Sequence, residues 1–385
     1  MRIAFFTDSY LPQINGVVTQ IKNTSEELAK RGHEILIVCP ADNKKFKETN
    51  SKGIKVIYLP SLTLPTYDDY KITPPTSARI KKELKKFNPN IIHVHTPFGV
   101  GWMGVRYGKR FKIPVIGTYH TLIPEFMMYL PIPFLNETSF AKKIAWKYTN
   151  IFYNKCDVIT TPSISMKKEL EKNGVKKTIA LPNAINFKQF NKVKKKSYET
   201  KKPKIIYFGR IGFEKNIEVL IFALKHLLWK NKNVSLTITG SGPALKFLKD
   251  LVKEEKLSKH VTFQKPLREN ELAKHVAKHD IFVTPSTIET QGLTILESMA
   301  CGIPTVGADY LAIPDSVKEN KNGFLFAQFD FVECASKIEK LLKSAPLRKK
   351  LGKNAIETAR QYSLEHIVSE WEKLYAKTAK TSQNR

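Results

Sequence analysis

IFVTPSTIETQGLTILESMACGIPTVGA, residues 281–308, contains the pattern that decides the fold. A strand-type apolar run at 281–286 leads into a polar loop, and the apolar periodicity of 292–302 then predicts a helix. Gly302 is placed to end that helix. A second strand-type run, 303–308, follows directly. Strand, loop, helix and strand in this order predict a βαβ unit with parallel strands.

The same alternation runs through both halves of the chain, which at 385 residues exceeds what one hydrophobic core usually serves. We therefore expect an α/β protein with two doubly wound, mostly parallel sheets. A lysine-rich stretch that is nearly free of apolar residues, 191–204, predicts the linker between them. The expected parts are residues 1–195, residues 196–362 and a terminal helix with its tail, 363–385.

The charge of the chain bears on its partners. It carries 64 Lys and Arg against 35 Asp and Glu, a formal net charge of +29. Such an excess favours nucleic acid, an anionic membrane or phosphorylated ligands, although a lysine-rich proteome gives the same balance to proteins of every function. The basic residues are spread along the chain and no recognised nucleic-acid-binding module is present, so nucleic acid is not the expected partner.

Cysteine usage and hydropathy bear on the compartment. The four cysteines are scattered and predict neither a disulfide framework nor a zinc site, which is typical of a cytosolic protein. The chain shows no signal-peptide pattern at its start and no apolar run long enough to span a bilayer. Any membrane contact is therefore expected to be peripheral.

Loops that follow strands of the second half carry the candidate binding residues, because ligands bind at the carboxyl ends of parallel strands. Arg210 and Lys215 lie in FGRIGFEKN (208–216), just past a strand and before a helix. Two fixed cations there suit a departing diphosphate, although a structural ion pair and a surface lysine would give the same pattern. Gly240, in TGSGP, permits close approach of the backbone to a ligand, and an ordinary turn is the alternative.

The predicted helix after the polar loop adds an anion site at its start. Its first free amides belong to Gly292, Leu293 and Thr294. Glu297 lies one turn further on, on the side of Thr294. Because phosphate repels a carboxylate, we expect Glu297 to bind sugar hydroxyls, as acidic residues bind a ribose. Glu289, in the loop, should face what lies beyond the diphosphate. Ordinary helix-dipole charge would explain one of these glutamates but not both.

These segments together resemble a known family. The carboxy-terminal half of the family 4 retaining glycosyltransferases, which have the GT-B fold, is similar to FGRIGFEKN (208–216), TGSGP (239–243), TPSTIETQGLTILESMACGIPTV (284–306) and NGFLF (322–326). The E-x7-E pair typical of that family corresponds to Glu289 and Glu297. Its acceptor-side half is similar to TDSYLPQINGVV (7–18), LAKRGHEILIV (28–38), IIHVHTP (91–97) and GTYHT (117–121). The resemblance thus covers nearly the whole chain.

The resemblance implies two Rossmann-like domains that face an interdomain cleft, with the last helix crossing back to the first domain. It also implies a nucleotide-sugar donor and retention of the anomeric configuration. The implied contacts are Gly16 with the donor diphosphate, His120 with the donor sugar, Arg210 and Lys215 with the diphosphate, Glu289 with sugar hydroxyls among the amides of Gln291 to Thr294, and Glu297 with the ribose.

Two motifs are missing from the sequence. It has no D-x-D pair, with which metal-dependent nucleotide-sugar transferases hold a divalent cation. The cations and the helix N-terminus would supply the charge instead, so we expect no metal and no cofactor. It also has no G-x-G-x-x-G after the first strand, which a dinucleotide oxidoreductase would show.

The acceptor is predicted from basic and apolar segments of the first half. Residues 77–88 combine an apolar stripe with five cations, Arg79, Lys81, Lys82, Lys85 and Lys86, a pattern typical of a helix on an anionic membrane. A surface helix that packs its stripe on the sheet has the same pattern. The apolar stretch 125–134, with Phe126, Met127 and Met128, suits acyl chains or lipid docking, or else a loop buried between domains.

Among family members, the first half looks most like bacterial diacylglycerol glycosyltransferases and somewhat less like phosphatidylinositol mannosyltransferases. We therefore expect transfer of glucose or galactose from a UDP-sugar to diacylglycerol, with an α product, at the cytoplasmic face of the plasma membrane. The alternatives are a GDP-mannose-dependent enzyme acting on a phospholipid, a soluble sugar acceptor, and a basic nucleic-acid-binding protein without transferase activity. A lectin-like relative without catalysis is disfavoured because Glu289 and Glu297 are both present.

Overall fold

The computed structural model describes residues 1–13, 15–41, 46–64, 67–120, 122, 139–195, 197–200, 202–230 and 233–383. The chain forms two compact units. The first comprises Met1–Ala184 together with Leu364–Arg385, and the second comprises Ile185–Ser363.

The first unit is built on an eight-stranded sheet in the order β10-β9-β8-β7-β1-β2-β4-β3. Its strands are β1 (Arg2–Phe6), β2 (Glu34–Pro40), β3 (Lys47–Ser51), β4 (Ile54–Leu59), β7 (Ile91–Val94), β8 (Val115–Thr118), β9 (Val158–Thr161) and β10 (Thr178–Ala180). All neighbours are parallel except β3, which runs antiparallel to β4. A separate antiparallel pair consists of β5 (Leu62–Leu64) and β6 (Tyr67–Ile72).

The first unit is completed by helices that lie between its strands in sequence and by the last helix of the chain. They are α1 (Gly16–Lys30), α2 (Ala78–Phe87), α3 (Gly99–Phe111), α4 (Ser139–Tyr153), α5 (Ile164–Lys172) and α14 (Leu364–Gln383). Polar side chains start several of them: Asn15 accepts a hydrogen bond from the Val18 amide, and Ser163 accepts one from the Met166 amide.

The second unit has a six-stranded sheet, all parallel, in the order β13-β12-β11-β14-β15-β16. Its strands are β11 (Lys204–Phe208), β12 (Ser235–Thr239), β13 (Val261–Gln264), β14 (Ile281–Thr284), β15 (Thr305–Ala308) and β16 (Gly323–Phe326). Its helices are α6 (Phe187–Lys192), α7 (Ile217–Lys230), α8 (Leu245–Glu254), α9 (Glu269–Val276), α10 (Leu293–Ala300), α11 (Ile313–Ser316), α12 (Phe331–Lys343) and α13 (Ala345–Arg360), with a 3₁₀ turn at Phe213–Lys215.

The quoted stretch 281–308 folds as predicted, into β14, α10 and β15. β14 and β15 are neighbours in the sheet and pair in parallel. Gly302 follows the helix with a φ of 79°, the left-handed conformation that ends a helix and that glycine adopts without steric cost. The strand order reverses at β11, which lies between β12 and β14, so the two-domain, doubly wound prediction is confirmed.

The last helix, α14, belongs to the first unit although the second unit precedes it in sequence. Its buried face, with Val368, Trp371 and Tyr375, joins the core that β1 and β2 supply. Arg31, directly after α1, donates a hydrogen bond of 2.7 Å to the Glu372 carboxylate. The return of the terminal helix to the first domain, which the family resemblance implied, is thus present.

The second unit begins at Ile185, ahead of the predicted boundary at residues 195 and 196. The lysine-rich stretch 191–204 is not a free linker. Lys195 forms an ion pair of 2.9 Å with buried Asp280, and the Tyr198 hydroxyl donates to the Gly302 carbonyl at 2.7 Å. Two polar anchors therefore fix this stretch on the second unit, where composition alone predicted solvent.

Candidate functional site

Three loops meet at the carboxyl edge of the second sheet, after the neighbouring strands β12, β11 and β14. They approach closely: a Cβ at Gly240 would overlap the Gly209 carbonyl oxygen, and one at Gly242 would overlap that of Ile211. Gly240 and Gly242 therefore serve to bring the loop after β12 against the loop after β11. A Cβ at Gly209 would in turn lie 3.5 Å from Cγ2 of Thr294, the second residue of α10.

Lys215 and Glu289 meet at this edge. The Lys215 ammonium donates to Oε1 of Glu289 at 2.6 Å and lies 3.4 Å from the Ser286 hydroxyl. Both ionic side chains are mostly buried, so their attraction is screened less than that of a surface pair. The sequence predicted both residues as site residues but did not predict that they pair with each other.

Arg210 is held by a partner that sequence reasoning missed. Its guanidinium donates to Oε1 of Glu214 from two nitrogens, at 2.6 and 3.2 Å. Glu214 is buried, whereas Arg210 keeps more than a third of its side chain in solvent. The buried Tyr207 hydroxyl donates to the Arg210 carbonyl at 2.8 Å, and burial together with Glu289 and Glu214 raises the pKa of Tyr207 well above its usual value. The Arg210 guanidinium is thus held in place by Glu214 and remains partly exposed to solvent.

Asn216 ties the loop after β11, which carries both cations, to the loop after β14, which carries Glu289. It has a φ of 49°, a left-handed conformation that asparagine tolerates better than most residues. Its buried side-chain amide donates to the Thr287 hydroxyl at 3.0 Å and to the Pro285 carbonyl at 3.4 Å. The order Glu-Lys-Asn after a strand gives no signal of this role by itself. The contact explains how Lys215 and Glu289 are kept within reach of each other.

α10 presents an open N-terminus at the same edge. Gly292, which caps it, has a φ of 77° and supplies no side-chain cap. The Ile295 amide bonds the Gly292 carbonyl at 3.0 Å, whereas the amides of Gly292, Leu293 and Thr294 have no acceptor among the residues that the structure describes. These are the three amides that the sequence predicted. Free amides and the helix dipole together favour an anion here.

Glu297, one turn into α10, is a carboxyl in an unfavourable place for charge. Burial, with a smaller contribution from the negative charge of Glu269, raises its pKa to about 8. No hydrogen-bond donor of the described residues contacts it. With this pKa the carboxyl is mostly protonated at pH 7, so it can both donate hydrogen bonds to and accept them from hydroxyl groups of a ligand, the partners that the sequence predicts for it.

In the first unit, the corresponding helix N-terminus is filled by the protein itself. Asp8, which follows β1, accepts hydrogen bonds from the amides of Val100 and Gly101 at 2.7 and 3.3 Å and from the Thr96 hydroxyl at 2.6 Å. Burial raises the pKa of Asp8 to about 6, against the lowering effect of these bonds. Asp8 thus closes the start of α3, a role that the sequence did not indicate.

Three histidines form a column above the first sheet. His93 in β7 and His95 beyond it are two residues apart, so they lie on one face of the sheet, and their ring centroids are 3.9 Å apart. His120, just after β8, stacks on His95 and bonds it, with 3.1 Å between His95 Nδ1 and His120 Nε2. Burial lowers the pKa of His120 to about 4 and holds those of His93 and His95 well below the usual value for histidine, so all three rings are neutral at pH 7.

The remaining predicted donor residues fall as follows. Gly16 is exposed and is the first residue of α1. Gly16 and His120 both belong to the amino-terminal half of the chain. Gln291 is buried just before Gly292. The structure therefore brings Arg210, Lys215, Gly240, Glu289, Gln291, Gly292, Leu293, Thr294 and Glu297 to one edge of the second sheet, while Gly16 and His120 belong to the other unit.

The predicted membrane helix is mostly a structural one. α2 spans Ala78–Phe87, and Ile80 and Leu84 of its apolar stripe are fully buried. Of its five cations, Lys81 is half-buried and the other four are exposed, with Arg79 stacked 3.4 Å above the Phe46 ring. The helix therefore has a charged outer surface but no apolar face for insertion. Phe126, Met127 and Met128, with the stretch 125–134, lie outside the described residues.

Neither a metal cluster nor a membrane-spanning helix is present in the described part of the chain. Within the described ranges, no three His, Cys, Asp or Glu side chains are grouped to hold a metal ion. Over the same residues, none of the helices combines the length and the apolar character that crossing a bilayer requires. The absence of a metal requirement remains a prediction.

Comparison with known proteins defines the class. The fold is similar along 98% of both chains to sucrose-phosphate synthase from Thermosynechococcus elongatus, with a TM-score of 0.78 at 20% identity. A model of "Glycosyltransferase Family 4" matches residues 14–189, and one of "Glycosyl transferases group 1" matches residues 188–358. Two parallel-sheet domains of this kind are the GT-B glycosyltransferase fold, as predicted.

Two curated relatives show which members of the family the chain is similar to. An alpha-monoglucosyldiacylglycerol synthase of Streptococcus pneumoniae is 30% identical over 326 residues, 81% of this chain and 72% of that protein. A GDP-mannose-dependent alpha-mannosyltransferase of Corynebacterium glutamicum is 28% identical over 342 residues, 86% of this chain and 78% of that protein. The chain belongs to the family 4 glycosyltransferases. The alternative of a nucleic-acid-binding protein without enzymatic activity finds no support in these matches.

Proposed function

We propose that the protein is a retaining, metal-independent hexosyltransferase that moves glucose or galactose from UDP to the free hydroxyl of diacylglycerol. The observation that carries the proposal is the open N-terminus of α10, whose preceding loop holds Glu289 against Lys215. Three free amides and two cations suit a nucleoside diphosphate. The similarity to an alpha-monoglucosyldiacylglycerol synthase supports diacylglycerol as the acceptor.

The proposed reaction exchanges one bond at the anomeric carbon for another. The bond from that carbon to the β-phosphate oxygen breaks, and UDP leaves with the electron pair. The acceptor hydroxyl forms its bond on the same face, and its proton passes to a phosphate oxygen, which gives an α-monohexosyl diacylglycerol. Arg210, Lys215 and the α10 amides offset the charge that develops on the leaving diphosphate.

The ion pair of Lys215 with Glu289 has a place in this scheme. In the free protein the two charges, 2.6 Å apart, neutralise each other in a mostly buried position. A bound diphosphate attracts Lys215 and repels Glu289, so the carboxylate turns to hydroxyls of the donor sugar. Glu297 accepts from the ribose and His120 contacts the donor sugar. Binding would thus separate a pair that is already positioned, which limits the cost of reorganisation.

Docking on the cytoplasmic face of an anionic membrane is proposed to involve α4 more than α2. Phe140, Ile144 and Ile151 of α4 are 63%, 49% and 48% exposed and lie on one side of the helix. Exposed Lys143 and Lys147 lie beside them, and the first turn of the helix has no acidic residue. Such a face combines apolar insertion with attraction to anionic lipid, whereas the cations of α2 supply attraction alone.

Vesicle co-sedimentation compares the two helices. Ile144→Ser with Lys147→Ser on α4 is expected to weaken binding to phosphatidylglycerol vesicles more than Lys82→Ser with Lys85→Ser on α2, with UDP binding unchanged in both. Equal loss from the two double variants would mean that only charge matters. No loss from either would remove both helices from the docking surface.

The second candidate is a GDP-mannose-dependent α-mannosyltransferase acting on a phospholipid. The observation that favours it is the similarity over 86% of this chain to a GDP-mannose-dependent enzyme. The cations and the open helix serve either nucleotide diphosphate equally, because they contact phosphate groups and not the base.

The deciding experiment measures nucleotide release from a panel of UDP- and GDP-sugars in mixed micelles of an anionic lipid, with and without diacylglycerol. Release from UDP-glucose or UDP-galactose that requires diacylglycerol is the expected result. Release from GDP-mannose that requires phosphatidylinositol would establish the second candidate. Release only with a soluble sugar as acceptor would contradict both lipid assignments while leaving the glycosyltransferase class unchanged.

A further inference from the structure

The loop after β11 and the loop after β14 are joined by contacts on both sides of Lys215 in the sequence. On one side, the Glu214 carbonyl accepts a hydrogen bond of 3.4 Å from the Thr287 amide. On the other side, the side chain of Asn216 donates to the Thr287 hydroxyl at 3.0 Å. Thr287 lies two residues before Glu289, the ion-pair partner of Lys215. The ion pair therefore sits directly beside a second, uncharged connection between the same two loops.

This uncharged connection, the Asn216 bridge, consists of the side-chain amide of Asn216 and the oxygens that it contacts. Asn216 is 9% exposed. Besides the Thr287 hydroxyl, its NH₂ group lies 3.4 Å from the carbonyl oxygens of Glu214 and Pro285. Carbonyl oxygens only accept hydrogen bonds, so the NH₂ group and not the side-chain oxygen must face them. The amide thus donates to oxygens of both loops and holds the loops at a fixed distance.

The backbone of Asn216 has a separate, local role. It follows the 3₁₀ turn at Phe213–Lys215 with a φ of 49°, and its amide donates to the Phe213 carbonyl at 3.1 Å. Its carbonyl accepts from the Val219 amide of α7 at 3.0 Å. A glycine adopts the left-handed conformation without steric cost and can make both backbone bonds. The Asn216 bridge can therefore be removed by Asn216→Gly while the turn is kept.

We propose that Asn216 is a positioning residue, whose side-chain bridge to the loop after β14 keeps the Lys215 ammonium in place for the leaving diphosphate. The bridge does not depend on the ion pair, so it still joins the two loops when a diphosphate separates Lys215 from Glu289. Without it, Lys215 meets the phosphate in a wider range of positions, and a displacement of about 1 Å can cost about a hundredfold in rate. The consequence for turnover rests on the proposed function, whereas the bridge itself does not.

The kinetic test compares two asparagines that share a backbone conformation. Asn320, in the same unit, has a φ of 59° and is exposed, and its side chain has no hydrogen-bond partner among the residues that the structure describes. Asn216→Gly is expected to lower kcat by roughly tenfold to a hundredfold with KM for the donor within about threefold, since Arg210 and the α10 amides still hold the diphosphate. Asn320→Gly, the control, should leave both constants within about twofold of wild type. Equal turnover of the two variants would overturn the proposal.

Double variants separate positioning from general damage to the site. In Lys215→Ala there is no ammonium to position, so the addition of Asn216→Gly should lower turnover by less than about a further twofold. A further loss as large as that of Asn216→Gly alone would contradict the proposal, because the asparagine would then act on something other than Lys215. Thr287→Val removes the hydroxyl that the amide contacts and should reproduce part of the loss in kcat, which Thr287→Ser should recover.

Denaturant unfolding tests the Asn216 bridge without any nucleotide sugar. Asn216→Gly and Thr287→Val should each lower the unfolding midpoint, and the double variant should lower it by less than the sum, because both substitutions remove the same contact. Shifts that simply add would overturn the bridge. If the shifts are not additive but no nucleotide sugar is turned over, the proposed function fails and the bridge stands. If nucleotide sugar is turned over and Asn216→Gly is as active as Asn320→Gly, the positioning role fails and the proposed function stands.

Discussion

Two helices that begin at the carboxyl edge of a parallel sheet differ in what their N-termini bind. α3, in the first unit, is closed by Asp8, whose carboxylate accepts from the amides of Val100 and Gly101. α10, in the second unit, begins at Gly292 without a side-chain cap and leaves three amides without an acceptor in the described part of the chain. A βα unit of the same kind is thus a structural joint in one unit and a candidate anion site in the other.

The difference extends to the charges around each helix. Near α10, Lys215 and Arg210 each hold a carboxylate at 2.6 Å, so the edge of the sheet contains paired ions that a ligand can separate. The first unit instead presents buried neutral rings, among them His95 and His120. The position of a residue at the end of a strand therefore says little about whether it binds a ligand. Backbone amides without an acceptor, next to paired charges, indicate a binding site more strongly.

Lys215→Ala should have the largest effect on turnover among the substitutions that test this difference between the two units. Removing the ammonium leaves Glu289 as an unpaired, mostly buried carboxylate and takes away one of the cations for the diphosphate. Nucleotide-sugar turnover should fall by about a hundredfold to a thousandfold, the scale on which one group that stabilises developing negative charge acts. Steady-state nucleotide release measures it.

Lys225→Ala is the matched control, because Lys225 pairs with Glu255 in the same unit but away from the three loops. It should leave turnover within about twofold of wild type. Turnover of Lys215→Ala at a rate near that of the control would remove the assignment of the cation site.

Asp8→Ala should destabilise the first unit without altering donor binding. Two amides and the Thr96 hydroxyl lose a buried acceptor, which costs roughly 2–4 kcal/mol, between the loss of one cap and that of a buried hydrogen-bonded network. The midpoint of denaturant unfolding should fall. A large loss of UDP affinity in the folded variant, with stability unchanged, would mean that α3 and not α10 is the ligand site.

Glu297→Gln should stabilise the ligand-free protein in a pH-dependent way. The pKa of Glu297 is about 8 in the fold against 4.5 for the unfolded chain, so the folded state binds the extra proton between those values and stability falls as pH rises through them. The variant lacks this loss. It should be more stable than wild type by roughly 1–3 kcal/mol at pH 8 after allowance for solvent screening, and equal to it below pH 4.5.

Thermal unfolding of the wild-type protein and of Glu297→Gln between pH 4.5 and pH 8 measures the difference in their stability. A constant offset at every pH would show that Glu297 does not titrate in the predicted window. Weaker binding of UDP by the more stable variant would show that Glu297 contributes to ligand binding while it lowers the stability of the ligand-free protein.

Glu214→Gln should have the smallest effect on ligand binding. It keeps the size of the Arg210 partner but removes its charge, so the partly exposed guanidinium loses its brace while remaining available to a ligand. UDP affinity should change by a few fold at most, less at high salt. A Glu214→Gln loss as large as that of Lys215→Ala would show that the brace, and not the cation, controls binding.

The sequence predicted the parts of the fold that depend on local periodicity. The βαβ unit at 281–308, the helix at 78–87 and the terminal helix follow from apolar spacing, glycine and cap residues. It gave no sign that the stretch 191–204 is held on the second unit, because the ion pair of Lys195 with Asp280 joins residues 85 positions apart and leaves no trace in composition. Nor did it separate a membrane face from a core face on α2, because both are the same apolar stripe until the tertiary packing is known.

For the site, the sequence located the residues but not their mutual contacts. Arg210, Lys215, Glu289 and the α10 amides stand where predicted, since loops after parallel strands converge at one edge. The partners that hold them, Glu214 and Asn216, gave no signal of their own. The His93 and His95 pair did carry one, the two-residue spacing at the end of a strand-type run, which places both rings on the same face.

The central claim is that the second unit binds a nucleoside diphosphate through its own cations and amides. Isothermal titration of UDP into the wild-type protein, once with EDTA and once with Mg²⁺, tests it most directly. We predict that UDP binds with the same affinity in both titrations and more than tenfold more weakly to Lys215→Ala. Binding that is lost in EDTA and restored by Mg²⁺ would contradict the account.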